Sequence, residues 1–386
     1  MTSTPAPGRL RVLFVDQGRA LADSAMGHVR VKHALATGLD QKTVDPLRLD
    51  IRPFTRTERR FLKSVPRLRG LNFWTVRFLL LRNWVSRRAI RAAVTGQQPD
   101  VVHITTHQVA LTLRRLQRRV PCVLSVDTPL IDWSRMTHGV PAGARTPAHL
   151  RPIVVLERRA LRRAPLVIAW TQTVGRRLTE LAPDANVQTV HPGLDTAAFS
   201  LGERSADDRP ARILFVGANW ERKGGPALLD AVGSELGRTL TLDVVTSVEL
   251  PATPGLTQHR GKPGSSEIAA LFQRADIFCL PTSVDAVPWV VLEAMACGAA
   301  VVATRVGSIP EMVGDGGVLV DPGDTEQLGQ ALRELSHDLR RCHALGSAGR
   351  RRVEEHYDAA KNTRVLSDLV QHVARAGRTG ADDTTG

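Results

Sequence analysis

The chain lacks most of the features that would place it outside the cell or in a membrane. Among its 386 residues are four cysteines, Cys122, Cys279, Cys297 and Cys342, with no Cys-x-x-Cys spacing. That argues against a disulfide framework or a thiolate metal site and suits reduced, structural thiols. No uncharged apolar run reaches the ~18 residues of a membrane-spanning helix. The opening MTSTPAPGR has no apolar core of a secretion signal, so a cytoplasmic protein is expected. There is no Gly-x-Gly-x-x-Gly, so a dinucleotide is not indicated. There is no Asp-x-Asp metal site, no internal repeat and no nucleic-acid-binding motif.

What is present is enough apolar residue for a globular chain, 42%, and a length that suits two domains. The net charge is +14. Residues 48–91 hold 13 Arg or Lys against Asp50 and Glu58, a balance of +11 in 44 residues. The other 342 residues share +3, which assigns the charge to one surface. Within this segment Trp74, Phe78, Leu81 and Val85 fall on one helical face, with Phe73 and Trp84 near it. Arg77, Arg82, Arg87, Arg88 and Arg91 are spread around them. Cations beside aromatic rings fit an anionic membrane surface; a solvated basic face over a buried apolar one is the competing reading.

The rest of the chain is organised around residues 275–313, which read as strand, loop, helix, strand, turn and helix start. IFCLP and AVVAT have the short apolar runs of strands buried on both faces. Pro288 opens a helix that Gly298 ends. Ser308 and Glu311 have the spacing of a capping box. In an open parallel sheet, ligands bind beyond the carboxyl ends of the strands, where helix N-termini attract anions. Here Asp285 follows a strand and Glu293 lies eight residues later inside the short helix. A phosphate at the helix start and hydroxyls at the two carboxylates match the parts of a nucleotide sugar.

This Asp-x7-Glu, with LEAMACGAAVVAT and VGSIPEMV around it, resembles the donor signature of retaining glycosyltransferases of family 4, which carry Glu-x7-Glu. The resemblance spans nearly the whole chain and is strongest over 213–331. It implies an α/β fold of two facing Rossmann-like domains (GT-B) with a cleft between them. Domain one is expected over 1–200 and domain two over 201–375, with a C-terminal helix returning to the first. LGERSADDRPA is the expected linker between them, and 376–386 is expected to be a disordered tail.

The resemblance also assigns roles. Asp285 would bind the transferred sugar and Glu293 the ribose. The family's Gly-Phe-Gly is Ala286-Val287-Pro288 here, placing Val287 and Pro288 against the donor. In ANWERKGG, Lys223 carries over as a diphosphate cation, and Arg222 stands in for the family's arginine, whose position is held by Ala218. Gly27, in the loop after the first strand RVLFVD, corresponds to the glycine that lets backbone approach the donor phosphate. His107, with His103 second, corresponds to the histidine near the transferred sugar. Asp127, ending PCVLSVD, would face the acceptor, and Arg82 and Arg87 would meet it on the basic segment.

The implied activity is transfer of a sugar from a nucleotide-diphospho-sugar to an acceptor hydroxyl. The acceptor is a glycan, glycolipid or small molecule, lipid-linked or phosphorylated in view of the basic segment. No metal or cofactor is expected, since Lys223 and Arg222 can carry the leaving phosphate's charge, and no nucleic-acid partner. The competing functions are a nucleotide-sugar epimerase on the same fold and a non-catalytic sugar- or nucleotide-binding homologue.

Overall fold

The computed structural model describes residues 9–16, 43–63, 74–138, 147–202, 209–260 and 266–382. Gly27 and the helix expected over 28–37 lie outside them. The chain forms two compact units: Met1–His191 with Asn362–Gly386, and Pro192–Lys361.

Among the described residues the first unit has six parallel strands: β1 (Leu10–Asp16), β2 (Val44–Asp50), β3 (Val101–Ile104), β4 (Cys122–Val126), β5 (Leu166–Ala169) and β6 (Val187–Thr189). Their order is β2-β1-β3-β4-β5-β6. β3, β4 and β5 are buried along their whole length, as parallel strands covered on both faces must be. The helices are α1 (Arg56–Lys63), α2 (Trp74–Gln97), α3 (Leu130–His138), α4 (Arg151–Arg163) and α5 (Gln172–Leu181). From β2 onward, every connection steps the same way across the sheet. Right-handed crossover therefore lays α2, the turns after β3, α4 and α5 on one face. Leu13 and Val15 of β1 pack into that layer with Val85, Ile90, Leu113 and Leu161. Their alternates Val12 and Phe14 point the other way, toward Leu366 and Val370.

The second unit has six parallel strands, β7 (Ala211–Val216), β8 (Leu240–Val245), β9 (Leu256–His259), β10 (Ile277–Leu280), β11 (Ala300–Thr304) and β12 (Gly317–Val320). They are ordered β12-β11-β10-β7-β8-β9. Its helices are α6 (Gly225–Val232), α7 (Ser266–Arg274), α8 (Trp289–Ala296), α9 (Ile309–Val313), α10 (Thr325–Ser336) and α11 (Leu339–His356). The expected strand–loop–helix–strand stretch is present, with Pro288 as the N-cap of α8 and Gly298 at φ 77° just past its end. Asp276, before β10, is held by both terminal nitrogens of Arg209 (2.7 and 2.9 Å) and by the amide of Arg212 (2.8 Å).

The final helix, α12 (Ala359–Asp382), belongs to the first unit from Asn362 on. It corrects the expected tail: residues 376–382 are helical, and Arg378 holds Asp100 through two bonds of 2.7 and 2.8 Å. A bidentate ion pair anchors a polar sequence that composition alone marks as loose; residues 383–386 lie outside the described set. The capping box at Ser308 is also corrected, since Ser308 caps α9 without a side-chain bond to its amides. A reciprocal box occurs instead at Thr55–Glu58, where each side chain accepts from the other's amide, at 3.2 and 2.7 Å. All four cysteines are buried thiols outside any disulfide. Burial pushes the Cys122 thiol up to about 12, so it behaves as an apolar filler.

Candidate functional site

The second unit gathers its chemistry at the carboxyl ends of β7, β10 and β11. β7 ends at Val216, and the loop that follows from Gly217 turns tightly into α6. Gly224 permits that turn: its φ is 84°, and a Cβ there would lie 2.0 Å from the carbonyl oxygen of Pro281. The loop after β7 is thus pressed against the loop after β10. Arg222 ties the two together, its Nη1 donating to the Val284 carbonyl (3.0 Å). The Arg222 carbonyl in turn accepts from the Thr282 hydroxyl (3.0 Å) and the Ser283 amide (3.2 Å). Thr304, at the end of β11, donates to the Thr282 carbonyl (2.6 Å).

This scaffold brings Lys223 and Asp285 into contact, Nζ to Oδ2, although 62 residues separate them. The other carboxylate oxygen accepts from the Ala286 amide (3.1 Å). Both side chains stay partly open to solvent, at 15% and 14%. Close by, Gly307 at φ 54° passes the Asp285 carbonyl so tightly that a Cβ would sit 2.1 Å from it, and the Ser308 amide donates to the Ala286 carbonyl (3.0 Å). Val287 and Pro288 are buried, and Glu293 on α8 is 3% exposed. A carboxylate and an ammonium so placed can bind a polar ligand by exchanging their mutual contact for contacts to it, hydroxyl to Asp285 and phosphate to Lys223. Gly224, Gly307, Thr282 and Thr304 were not singled out by the sequence; their signal is the close approach of loops distant along the chain.

The first unit treats its candidates differently. His107 is not in an open loop but in a short 3-10 turn over His107–Val109, and it is 1% exposed. Its Nε2 meets Glu157 Oε1 of α4 at 2.8 Å. The same oxygen accepts from the amide of Leu130, the first residue of α3 (2.8 Å). Glu157 thereby pins the loop after β3 and the loop after β4, including Asp127 and Thr128, to α4. No motif around VVLERRAL marks it. His103 is also buried, sharing a 2.8 Å hydrogen bond with the Ser125 hydroxyl. Asp127 is half-buried.

The basic segment divides as well. Arg82 is 1% exposed, so the structure corrects its placement on an open acceptor surface. It donates to the Arg52 carbonyl (2.8 Å) and lies over the Phe54 ring (5.6 Å). Burial first, then the charge of Arg52, lowers its pKa to about 10. Trp74 stacks on Phe78, which stacks on Trp133, at 5.0 and 5.8 Å between centroids. Arg87 and Arg88 are exposed, and so is Trp84 at 53%, with the Arg88 guanidinium over its ring at 5.5 Å.

Among the described residues no group of His, Cys, Asp or Glu is arranged to hold a metal ion, and no helix is long and apolar enough to cross a membrane.

Comparison with known proteins agrees with this architecture. The family described as Glycosyltransferase Family 4 matches residues 27–198, and that described as Glycosyl transferases group 1 matches 210–338. The chain is 29% identical to MMP alpha-(1->4)-mannosyltransferase of Mycolicibacterium hassiacum over 79% of each chain. It is 31% identical to alpha-maltose-1-phosphate synthase of Mycolicibacterium smegmatis, over 69% of this chain and 77% of that one. The crystal structure of Anabaena HepE in complex with UDP superposes with a TM-score of 0.65, over 94% of this chain and 100% of that one, at 16% identity. The two parallel sheets, the two family matches and these relatives together show that the chain is a glycosyltransferase of the GT-B fold and belongs to the family 4-like glycosyltransferases.

Proposed function

We propose that the chain is a retaining glycosyltransferase whose second unit binds a nucleotide-diphospho-sugar. The observation that carries this reading is the Lys223–Asp285 contact at the mouths of β7 and β10, with Glu293 on the helix that follows. In this reading Lys223 takes the diphosphate and Arg222 supports it, holding the 282–285 loop in place. Asp285 takes a hydroxyl of the transferred sugar, Glu293 takes the ribose, and the backbone at Val287 and Pro288 lies against the donor. Anabaena HepE, of the same fold, is in complex with UDP, which supports a nucleotide as part of the donor.

The reaction breaks the bond between the anomeric carbon and the leaving phosphate oxygen. It forms a bond from the acceptor oxygen on the same face, and the acceptor proton passes to the leaving phosphate. Lys223 stabilises the charge that grows on that phosphate, so the enzyme acts by positioning and electrostatics, with no metal or cofactor invoked. The role read for His107 is exercised through Glu157: it fixes the loops of the first unit beside which the acceptor binds. Asp127, on the second of those loops, contacts the acceptor, and Arg87 provides charge for a phosphorylated or lipid-linked one. Residues 48–91 bring the enzyme to an anionic membrane surface from the cytoplasmic side.

A melting-temperature panel with UDP-, GDP- and ADP-sugars tests the donor, because a ligand that binds only the folded state raises the transition. A shift with one nucleotide class that disappears in Lys223→Ala is the expected result. No shift with any of them overturns the reading. The anomeric configuration of the product, followed by proton NMR, tests retention. Donor incubated without acceptor should keep its sugar configuration; a changed sugar would make the enzyme an epimerase.

A further inference from the structure

Two arginine repeats lie outside everything assigned so far. RRLQRR occupies 114–119, in the turns after β3, and RRALRR occupies 158–163, at the end of α4. Their central residues Leu116, Ala160 and Leu161 are buried in one core cluster, and Gln117 donates to the Ala160 carbonyl (3.3 Å). The repeats therefore lie side by side with their arginines facing out. Arg114, Arg115, Arg118, Arg119, Arg158, Arg159 and Arg162 are exposed, and Arg163 is half-buried. Arg163 senses its neighbours: burial and then Arg114, Arg159 and Arg118 lower its pKa. Among the described residues, Arg162 is the one member of the eight with an acidic partner, Asp184 at 2.5 Å. Glu157, immediately before the second repeat, is turned into the core toward His107. Among the described residues seven of these arginines thus have no acidic partner, and such crowding of cations costs self-repulsion that an external anion relieves.

We infer that these repeats are part of a docking surface for an anionic lipid bilayer, shared with the exposed side of α2. The inference extends the membrane reading of residues 48–91 and rests on it for the nature of the partner. Three observations support a bilayer, and the second of them favours it over a nucleic acid. Crossover handedness puts α2, the RRLQRR turns and α4 on the same face of the sheet, so the cations form one broad layer. Apolar side chains stand exposed among them: Leu80 and Trp84 on α2, Val155 one turn before the second repeat, and Phe61 under the Arg77 guanidinium. Rings and aliphatic groups between cations suit the headgroup boundary, where apolar groups enter and guanidiniums meet lipid phosphates. The cations are all arginine, which binds phosphate with two parallel bonds.

The test is co-sedimentation of the full chain with phosphatidylcholine vesicles, with and without phosphatidylglycerol, at low and raised salt. The wild type should bind only vesicles that contain phosphatidylglycerol, and less as salt rises. Charge reversal of the repeats (R114E/R118E/R159E) should weaken partition about tenfold or more. R114Q/R118Q/R159Q should weaken it less, and R114K/R118K/R159K should keep most of it. Each variant should retain the wild-type melting shift with donor nucleotide, which shows that it is folded. If R87E/R88E loses binding while all three repeat variants bind like wild type, the repeats are merely solvated and only the 48–91 reading stands. If the wild type ignores anionic vesicles at low salt, or binds duplex DNA or RNA in their place, both readings fall. Neither outcome touches the donor site, which the nucleotide melting panel tests separately.

Discussion

The two units carry opposite charge. The first, with residues 362–386, has 35 basic and 15 acidic residues, a net of +20; the second has 17 and 23, a net of −6. The whole-chain figure of +14 hides this, because the acidic second unit cancels basic residues of the first. Splitting the chain at the unit boundary corrects the assignment of the charge to residues 48–91 alone, since the rest of the first unit adds +9. The contrast separates two ways of handling phosphate. The second unit, acidic overall, places Lys223 against the Asp285 carboxylate with Arg222 bonded to the Val284 carbonyl beside it, which suits one small anion held in one geometry. The first unit spreads many exposed guanidiniums over a layer, which suits an extended anionic surface.

The units also differ in what their candidate polar residues do, and substitutions can break that difference. In the first unit Glu157 is a buried carboxylate serving His107 and the Leu130 amide. Glu157→Ala should destabilise the protein by about 3–5 kcal/mol, the usual cost of orphaning one member of a buried pair. Glu157→Gln, which keeps an acceptor oxygen, should recover part of it. Chemical denaturation measures the loss, and the donor affinity of the folded fraction should be unchanged. A Glu157→Ala protein as stable as wild type would mean that the dyad is not structural. In the second unit Lys223→Ala should do the reverse. Lys223 is partly exposed, so stability should hold, while turnover falls about 10²–10³-fold through the lost charge stabilisation. Asp285→Ala should lower turnover more than nucleotide affinity. Full activity in both variants would remove the pair from the site.

The same contrast explains what was legible in the sequence. The alternation of short apolar runs and glycine-ended helices gave both Rossmann-like units, because parallel strands buried on two faces have no other composition. The placement of Asp285 and Glu293 was legible because they sit in one continuous strand–loop–helix, where spacing alone fixes it. The first unit resisted for a physical reason. Whether His107 is open or buried depends on Glu157, fifty residues later, and whether Arg82 is open depends on the carbonyl of Arg52, thirty residues earlier. A helical wheel put Arg82 among the solvated cations and cannot show that a carbonyl waits for it. The exposed Trp84 and the stacked, half-buried Trp74 likewise differ only in whether Phe78 and Trp133 are at hand.

A smaller effect separates the two buried histidines from each other and concerns pH. His103 lies in β3 between Phe14, whose ring it meets edge-on at 5.5 Å, and the Ser125 hydroxyl. Among the described residues it has no charged partner, and its buried Nδ1 has no hydrogen bond. Burial lowers its pKa to about 4, below the ordinary 6.5 of histidine. The folded state therefore keeps the ring neutral where the unfolded chain takes up a proton. Between those two values the unfolded state binds more protons, so stability falls as pH drops from 6.5 toward 4. For this one residue the loss amounts to about 2 kcal/mol by pH 5. Replacing His103 by Gln, which can still bond to Ser125 and does not titrate, should lower stability at neutral pH through imperfect packing. It should also flatten the dependence between pH 7 and 5 by that amount. Urea denaturation of both proteins at the two pH values isolates the difference, because every other titrating group is common to them. An unchanged slope would show that the ring is already neutral, or already protonated, in both states.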